Sequence, residues 1–274
     1  MTKCVISLQH DSQHRIDMRW LSHALQAGMA AKEALQLSLQ IGKQKISVGD
    51  VFSIEGKLNA ENLQFDHSTP SCDYVGYQLP KSKKLTVNGH VGHYAGAELA
   101  GGELIIAADA LNYTGCGMKA GVLTINGNSG DYLGGAYTGQ KKGMAGGTIL
   151  VKGNSGDFTG DLMRKGLIMV TGNIGHYCAS RMIAGTITNL GTVGDNIGQN
   201  MRRGTLLLPE LPKNMPAHFV NCGRHNLGYL TLLLHELHKY DSEFRSLHPM
   251  RRRVQRYLGD TSINGLGELL IWIG

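Results

Sequence analysis

The chain has 274 residues, of which 38 are glycine, about twice the ~7% share of ordinary globular domains, and only 18% are charged. A hydrophobic content of 42% excludes a disordered chain, the glycines keep no strict Gly-X-Y period as collagen would, and no apolar window reaches the ~18 residues of a membrane-spanning helix. The +6 net charge divides as +2 in each of residues 1–84, 85–205 and 206–274, with only Arg251–Arg253 and Arg256 clustered, so neither nucleic acid nor membrane is an expected partner.

Residues 1–20 are polar and charged where a signal peptide would need an apolar run, and the five cysteines include no CxxC pair. Both features lead to the expectation of a reducing, cytoplasmic setting.

In chain order, Ala30–Leu37 reads as a short helix and Gly49–Ile54 as a strand after a turn. Residues 63–84, with Asp73, Tyr74, Val75 and Gly76, read as a degenerate first coil of a repeat that occupies 85–205 and holds 27 of the 38 glycines. Its units open at Leu85, Leu104, Leu123, Ile149, Ile168 and Ile187, and a last strand opens at Leu206. The spacing is 19 residues throughout except for one of 26, which carries seven extra residues near 136–142. Within a unit, position 9 is short and polar or His, and position 10 is aromatic in five of six units, Asn196 being the exception. Position 15 is Leu99 and then methionine, and position 18 is always glycine.

Such columns mark an internal repeat. Aliphatic triplets followed by tight glycine turns predict an all-β fold, a right-handed parallel β-helix of ~19-residue coils in which positions 1 and 3 face inward and glycine supplies positive φ at the corners. The expected organisation is a small α/β N-terminal cap over 1–62, the β-helix over 63–208 and a helical C-terminal extension over 209–274. In that extension Leu227, Leu230, Leu234 and Leu237 recur at helical spacing, so 226–240 is expected to form an amphipathic helix covering the last coil edge or docking a partner.

Catalytic constellations do not stand out. His235 and His238 are three apart, not four as a zinc-protease helix requires, and the glycines around Cys116 belong to the repeat, not to a nucleotide loop. Asp131 and Asp157 occupy adjacent coils, as a glycosidase pair would, but sit in a turn-forming column that favours a structural role. No catalytic or metal-ligating residue is therefore expected on this chain. One charged pattern is not explained by turn geometry. Lys119, Arg164 and Arg202 share position 16, Lys165 and Arg203 share position 17, Arg181 lies at position 14, and Lys141 and Lys142 lie in the insertion. Stacked on successive coils they form a basic stripe suited to a polyanion or an acidic partner.

The coils resemble the domain shared by the glutamate synthase C-terminal region and the C-type subunit of formylmethanofuran dehydrogenase, and the second likeness is the closer. It rests on Gly49–Phe52, on the long unit from Gly130 to Gly147, and on a C-terminal extension with Cys222–His225, Arg251–Arg253 and Gly265–Glu268, which is similar to the bacterial form. Ser180–Thr186 and Met201–Thr205 fit that branch too. The resemblance implies a non-catalytic scaffold subunit of a formyltransferase/hydrolase complex in tetrahydromethanopterin-linked one-carbon metabolism. Its partners would be the other subunits. Such a complex passes a formyl group to a methanofuran- or methylofuran-type carrier and releases formate. No cofactor is expected on this chain, although the carrier's polyglutamate tail is a polyanion that the stripe could hold. The alternative is a stand-alone β-helix enzyme or binding module for acidic polysaccharide.

Overall fold

A computed structural model describes residues 3–10, 12–248 and 250–273. The repeat columns become one sheet. Strands Asn62–Ser68, Lys84–Gly89, Ala100–Ile106, Ala120–Ile125, Ala145–Val151, Lys165–Val170, Thr186–Asn189 and Thr205–Leu208 lie side by side, all parallel, within a 13-stranded sheet. Position 1 pairs with position 1: Leu85 faces Leu104, which faces Leu123, then Ile149, Ile168, Ile187 and Leu206. The insertion does not disturb this register, because it leaves and rejoins between strands. A second line of parallel bridges runs through Val91, Ala110, Ser129, Ser155, Ile174 and Val193, all at position 7.

Alternation along each strand sends positions 1 and 3 to one face and position 2 to the other. Leu85, Leu104, Leu123, Ile149, Ile168, Ile187 and Leu206 are accordingly fully buried, and so is the column Met118, Met144, Met163, Met182 and Met201. Position-18 glycines make room for that column: a Cβ on Gly166 would lie 2.7 Å from the Met144 Cε of the preceding unit.

The ring column stacks from Tyr74 through Tyr94, Tyr113, Tyr132, Phe158 and Tyr177, with centroids 4.8–4.9 Å apart and planes within 12°. Arg19 closes one end, its guanidinium 4.6 Å over the Tyr74 ring. Each of these six rings sits at φ between 59° and 63°. Left-handed backbone is thus not confined to glycine here, and Asn196, which ends the column at φ 59°, is of the residue type that tolerates it best.

Polar columns tie unit to unit. At position 9, Asn112, Asp131 and Asp157 each accept the backbone N–H of the next unit's position-9 residue, at 3.1, 2.9 and 2.7 Å. Position 6 does the same through Asp109, Asn128, Asn154 and Asn173, at 2.7–2.9 Å. The turn-forming position-9 side chains thus satisfy backbone amides of the neighbouring unit, and position 6 adds a second such ladder.

Upstream, the short helix α1 (Arg19–Gln26) and helix α2 (Ala31–Leu35) pack with Trp20, Phe52 and Phe65 into the same core. Strand Lys3–Leu8 pairs parallel with Asn62–Ser68, and Phe52–Glu55 pairs antiparallel outside it.

Downstream, the expected helical extension contains more strand than helix. Its helix, α3 (Tyr229–Leu237), is shorter than 226–240 and does not cover the last coil edge. Strand Gly267–Trp272 does that, parallel to Thr205–Leu208 with Leu206 facing Leu269, and strands Arg253–Gly259 and Val220–Asn226 follow antiparallel. The physical reason is that only a strand satisfies the open N–H and C=O groups of Thr205–Leu208. Helix α3 instead buries Leu230, Leu234 and Leu237 in a second apolar cluster with Leu150, Met169, Leu207 and Trp272, on the sheet face that position 2 presents. Tyr240 binds Thr148 at 2.8 Å and Tyr229 donates to Glu268 at 2.8 Å, fixing it at both ends.

Asp260 pins the returning segment. It is 2% exposed and accepts the N–H groups of Asn200 at 2.9 Å and Ser262 at 2.8 Å. Burial pushes its carboxyl upward, but the Ser262 hydroxyl, these two N–H groups and nearby His218 outweigh that and hold it below the ordinary value of 3.8. The stabilisation is complete above about pH 4 and is lost as the pH falls through the lowered value. Asp260→Asn is expected to be ~1–3 kcal/mol less stable than the parent at pH 6, with the gap narrowing at pH 3. Thermal unfolding at both pH values measures this, and an unchanged gap at pH 3 contradicts the assignment.

Candidate functional site

The eight cations of the predicted stripe are all exposed, and four of them line one cleft. Lys119 is engaged by Glu98 at 2.9 Å, and Arg181 is gripped by Asp161 through Nε at 2.9 Å and Nη2 at 2.6 Å. Lys141, Arg181, Arg202 and Arg203 line a common cleft of about 710 Å³ with Leu162, Ile183, Asn200 and residues 263–266. Lys119, Lys142, Arg164 and Lys165 lie outside that lining.

Local backbone explains the gathering. The insertion is closed where Met144 donates to the Gly134 carbonyl and is tied to the next unit where Gly143 donates to that of Leu162, both at 2.9 Å. Its Tyr137 ring lies 5.6 Å from Tyr94, so the loop folds back along the ring column and delivers Lys141 beside Arg181. Arg181 itself turns the corner at φ 52°. From the other side, the Leu266 N–H donates to the Arg202 carbonyl at 2.7 Å, which holds the 263–266 loop against the last unit. A neighbouring pocket of about 370 Å³, lined by Tyr113, Tyr132, Tyr137, Gln140 and Asp161, shares Leu162 and Arg181 with the cleft.

Three members of this site lay beyond sequence reasoning. Asp161 is 2% exposed and gives Arg181 its fixed orientation, yet it occupies no repeated column. Ile263 and Leu266, 39% and 68% exposed, belong to a loop whose place depends on the returning strand.

The other candidates find structural places. Asp131 and Asp157 serve the backbone ladder described above. His238 is bonded to the Leu247 carbonyl at 2.9 Å. Burial pushes the Cys178 thiol up to about 12 and raises that of Cys116 further still, keeping both protonated. Among the described residues no group of three His, Cys, Asp or Glu side chains is placed to hold a metal ion, and no helix is long and apolar enough to cross a membrane.

The fold and cleft define an all-β repeat protein with a cationic groove at the end of its stack. No protein-family model and no curated protein sequence matches the chain. A solved structure does: the formyltransferase/hydrolase complex (FhcABCD) from Methylorubrum extorquens in complex with methylofuran, at 34% identity and a TM-score of 0.90, covering 98% of this chain and 100% of the matched one. The chain belongs to the family of the C-type subunit of formylmethanofuran dehydrogenase, in its bacterial formyltransferase/hydrolase form.

Proposed function

We propose that this chain is the non-catalytic scaffold subunit of a formyltransferase/hydrolase complex, which moves a formyl group onto a methanofuran-type carrier and releases formate in one-carbon metabolism. The observation that carries this reading is the end-to-end likeness: 98% of this chain aligns with all of a chain from a complex that was crystallised with methylofuran. Its parallel units, stacked at a 19-residue step with a single 26-residue exception, suit a right-handed β-helix that gives larger subunits a long, rigid face. The side chains that most resembled an acid–base pair are spent on unit-to-unit hydrogen bonds, which favours chemistry on the partners. The uncompensated cations of the cleft then serve as contacts to acidic groups of the assembly.

Co-expression with the three other subunits of such a complex tests the proposal. Purification through a tag on this chain is expected to recover all four together, with formyl transfer in the assembly and none in the isolated chain. Turnover by the chain alone, for instance on an acidic polysaccharide, replaces the scaffold reading with an enzymatic one.

A further inference from the structure

We infer that the cleft at the end of the stack receives an acidic protein segment with an apolar anchor, contributed by a partner subunit. This rests on the assembly role proposed above and names what the cationic site takes. Three observations converge on it.

First, Lys141, Arg202 and Arg203 are exposed and no described carboxylate pairs with them. None of the residues lining the cleft is acidic. Second, Arg181 is pre-oriented. Asp161 holds it by the Nε–Nη2 edge, which leaves Nη1 to meet another acceptor, and an arginine fixed in this way loses less freedom on binding than a loose one. Third, the same lining carries exposed apolar side chains beside these cations: Leu266 is 68% exposed and Ile263 is 39% exposed.

The third observation decides the class of occupant. A purely anionic ligand would use the four cations and leave Leu266 in water. A peptide that combines carboxylates with a large apolar side chain uses both the cations and the apolar lining. Protein interfaces pair these elements, with arginine and a desolvated apolar anchor at the centre and charge complementarity setting register.

The test uses the full chain co-expressed with the other three subunits. Arg202→Glu/Arg203→Glu and Leu266→Ser are compared with the parent by the affinity of the purified chain for the three-subunit remainder, at 50 mM and 500 mM salt. All three substituted side chains are exposed, and circular dichroism with thermal unfolding checks that each variant folds as the parent does. The inference expects about a tenfold loss for the double charge reversal at 50 mM salt, smaller at 500 mM, and at least about a fivefold loss for Leu266→Ser at both. A photo-crosslinker at position 266 is expected to label an acidic stretch of one partner. Loss on charge reversal with Leu266→Ser unchanged overturns the inference in favour of a flexible polyanion, for which polyglutamate serves as the direct probe. Parent-like affinity in both variants overturns it outright while leaving the assembly role standing. A parent chain that does not join the other subunits overturns both.

Discussion

A Gly134→Val variant is expected to lose about 3 kcal/mol or more of folding stability, a large share of the margin of a typical domain. Gly134 sits at φ +64°, and a Cβ there would lie 2.7 Å from the Cδ1 of fully buried Ile168. Left-handed backbone costs an L-residue roughly 1–2 kcal/mol, and forcing extra carbons into a packed core costs ~1–3 kcal/mol more. Valine adds a β-branch to both penalties. The same column holds Ala179 at φ 59°, so one methyl can be accommodated where the surroundings allow it; at Gly134 the first carbon already displaces Ile168, and the branch adds to that displacement. Gly139 is the control, because it has φ +80° but open space around it. Gly139→Ala should cost only about 1 kcal/mol, the backbone term alone. Urea denaturation compares the two, and equal losses would sink the packing argument.

Leu234→Asp is expected to be comparably damaging, by about 4 kcal/mol, through a different part of the molecule. Leu234 is fully buried beneath α3 among Met169, Leu207 and Leu270. Truncating such a leucine costs ~2–5 kcal/mol, and aspartate adds an unpaired buried carboxyl. Hydrogen exchange separates this variant from Gly134→Val. Detachment of α3 should release protection in Tyr229–Leu237 while the strand Lys3–Leu8, whose buried side chains belong to the other core cluster, keeps its own. Uniform loss of protection along the stack would show that α3 and the coils unfold as one unit.

Much of this architecture was legible in the residues because a repeat reports its own tertiary contacts. Once Leu104 and Leu123 share a column, the pairing of their strands follows, and the 26-residue step could be read as an insertion because both flanking columns resume in register. What stayed hidden was whatever the period does not encode. Leu269 pairs with Leu206 from 63 residues away, and nothing local to Gly267–Trp272 names that partner. The leucines of α3 announced a helix, but periodicity is silent about which surface a helix covers. The cleft stayed hidden for a related reason. Column positions place cations on a common side, whereas only the folded insertion and the returning loop decide that Lys141, Arg181, Arg202 and Arg203 meet while Arg164 and Lys165 do not. The tyrosines at positive φ were least accessible, since the usual expectation assigns such a conformation to glycine.

The ring column also turns the molecule into a ruler. Its rungs advance by 4.8–4.9 Å each, and the hydrogen-bonded columns at positions 6 and 9 forbid slippage between them. The separation along the stack between any two groups displayed on it is therefore graduated in whole rungs. A partner that grips the chain at two places must match a whole number of these steps, so gaining or losing one unit would move every docking point beyond it by a defined distance without altering the chemistry at either end.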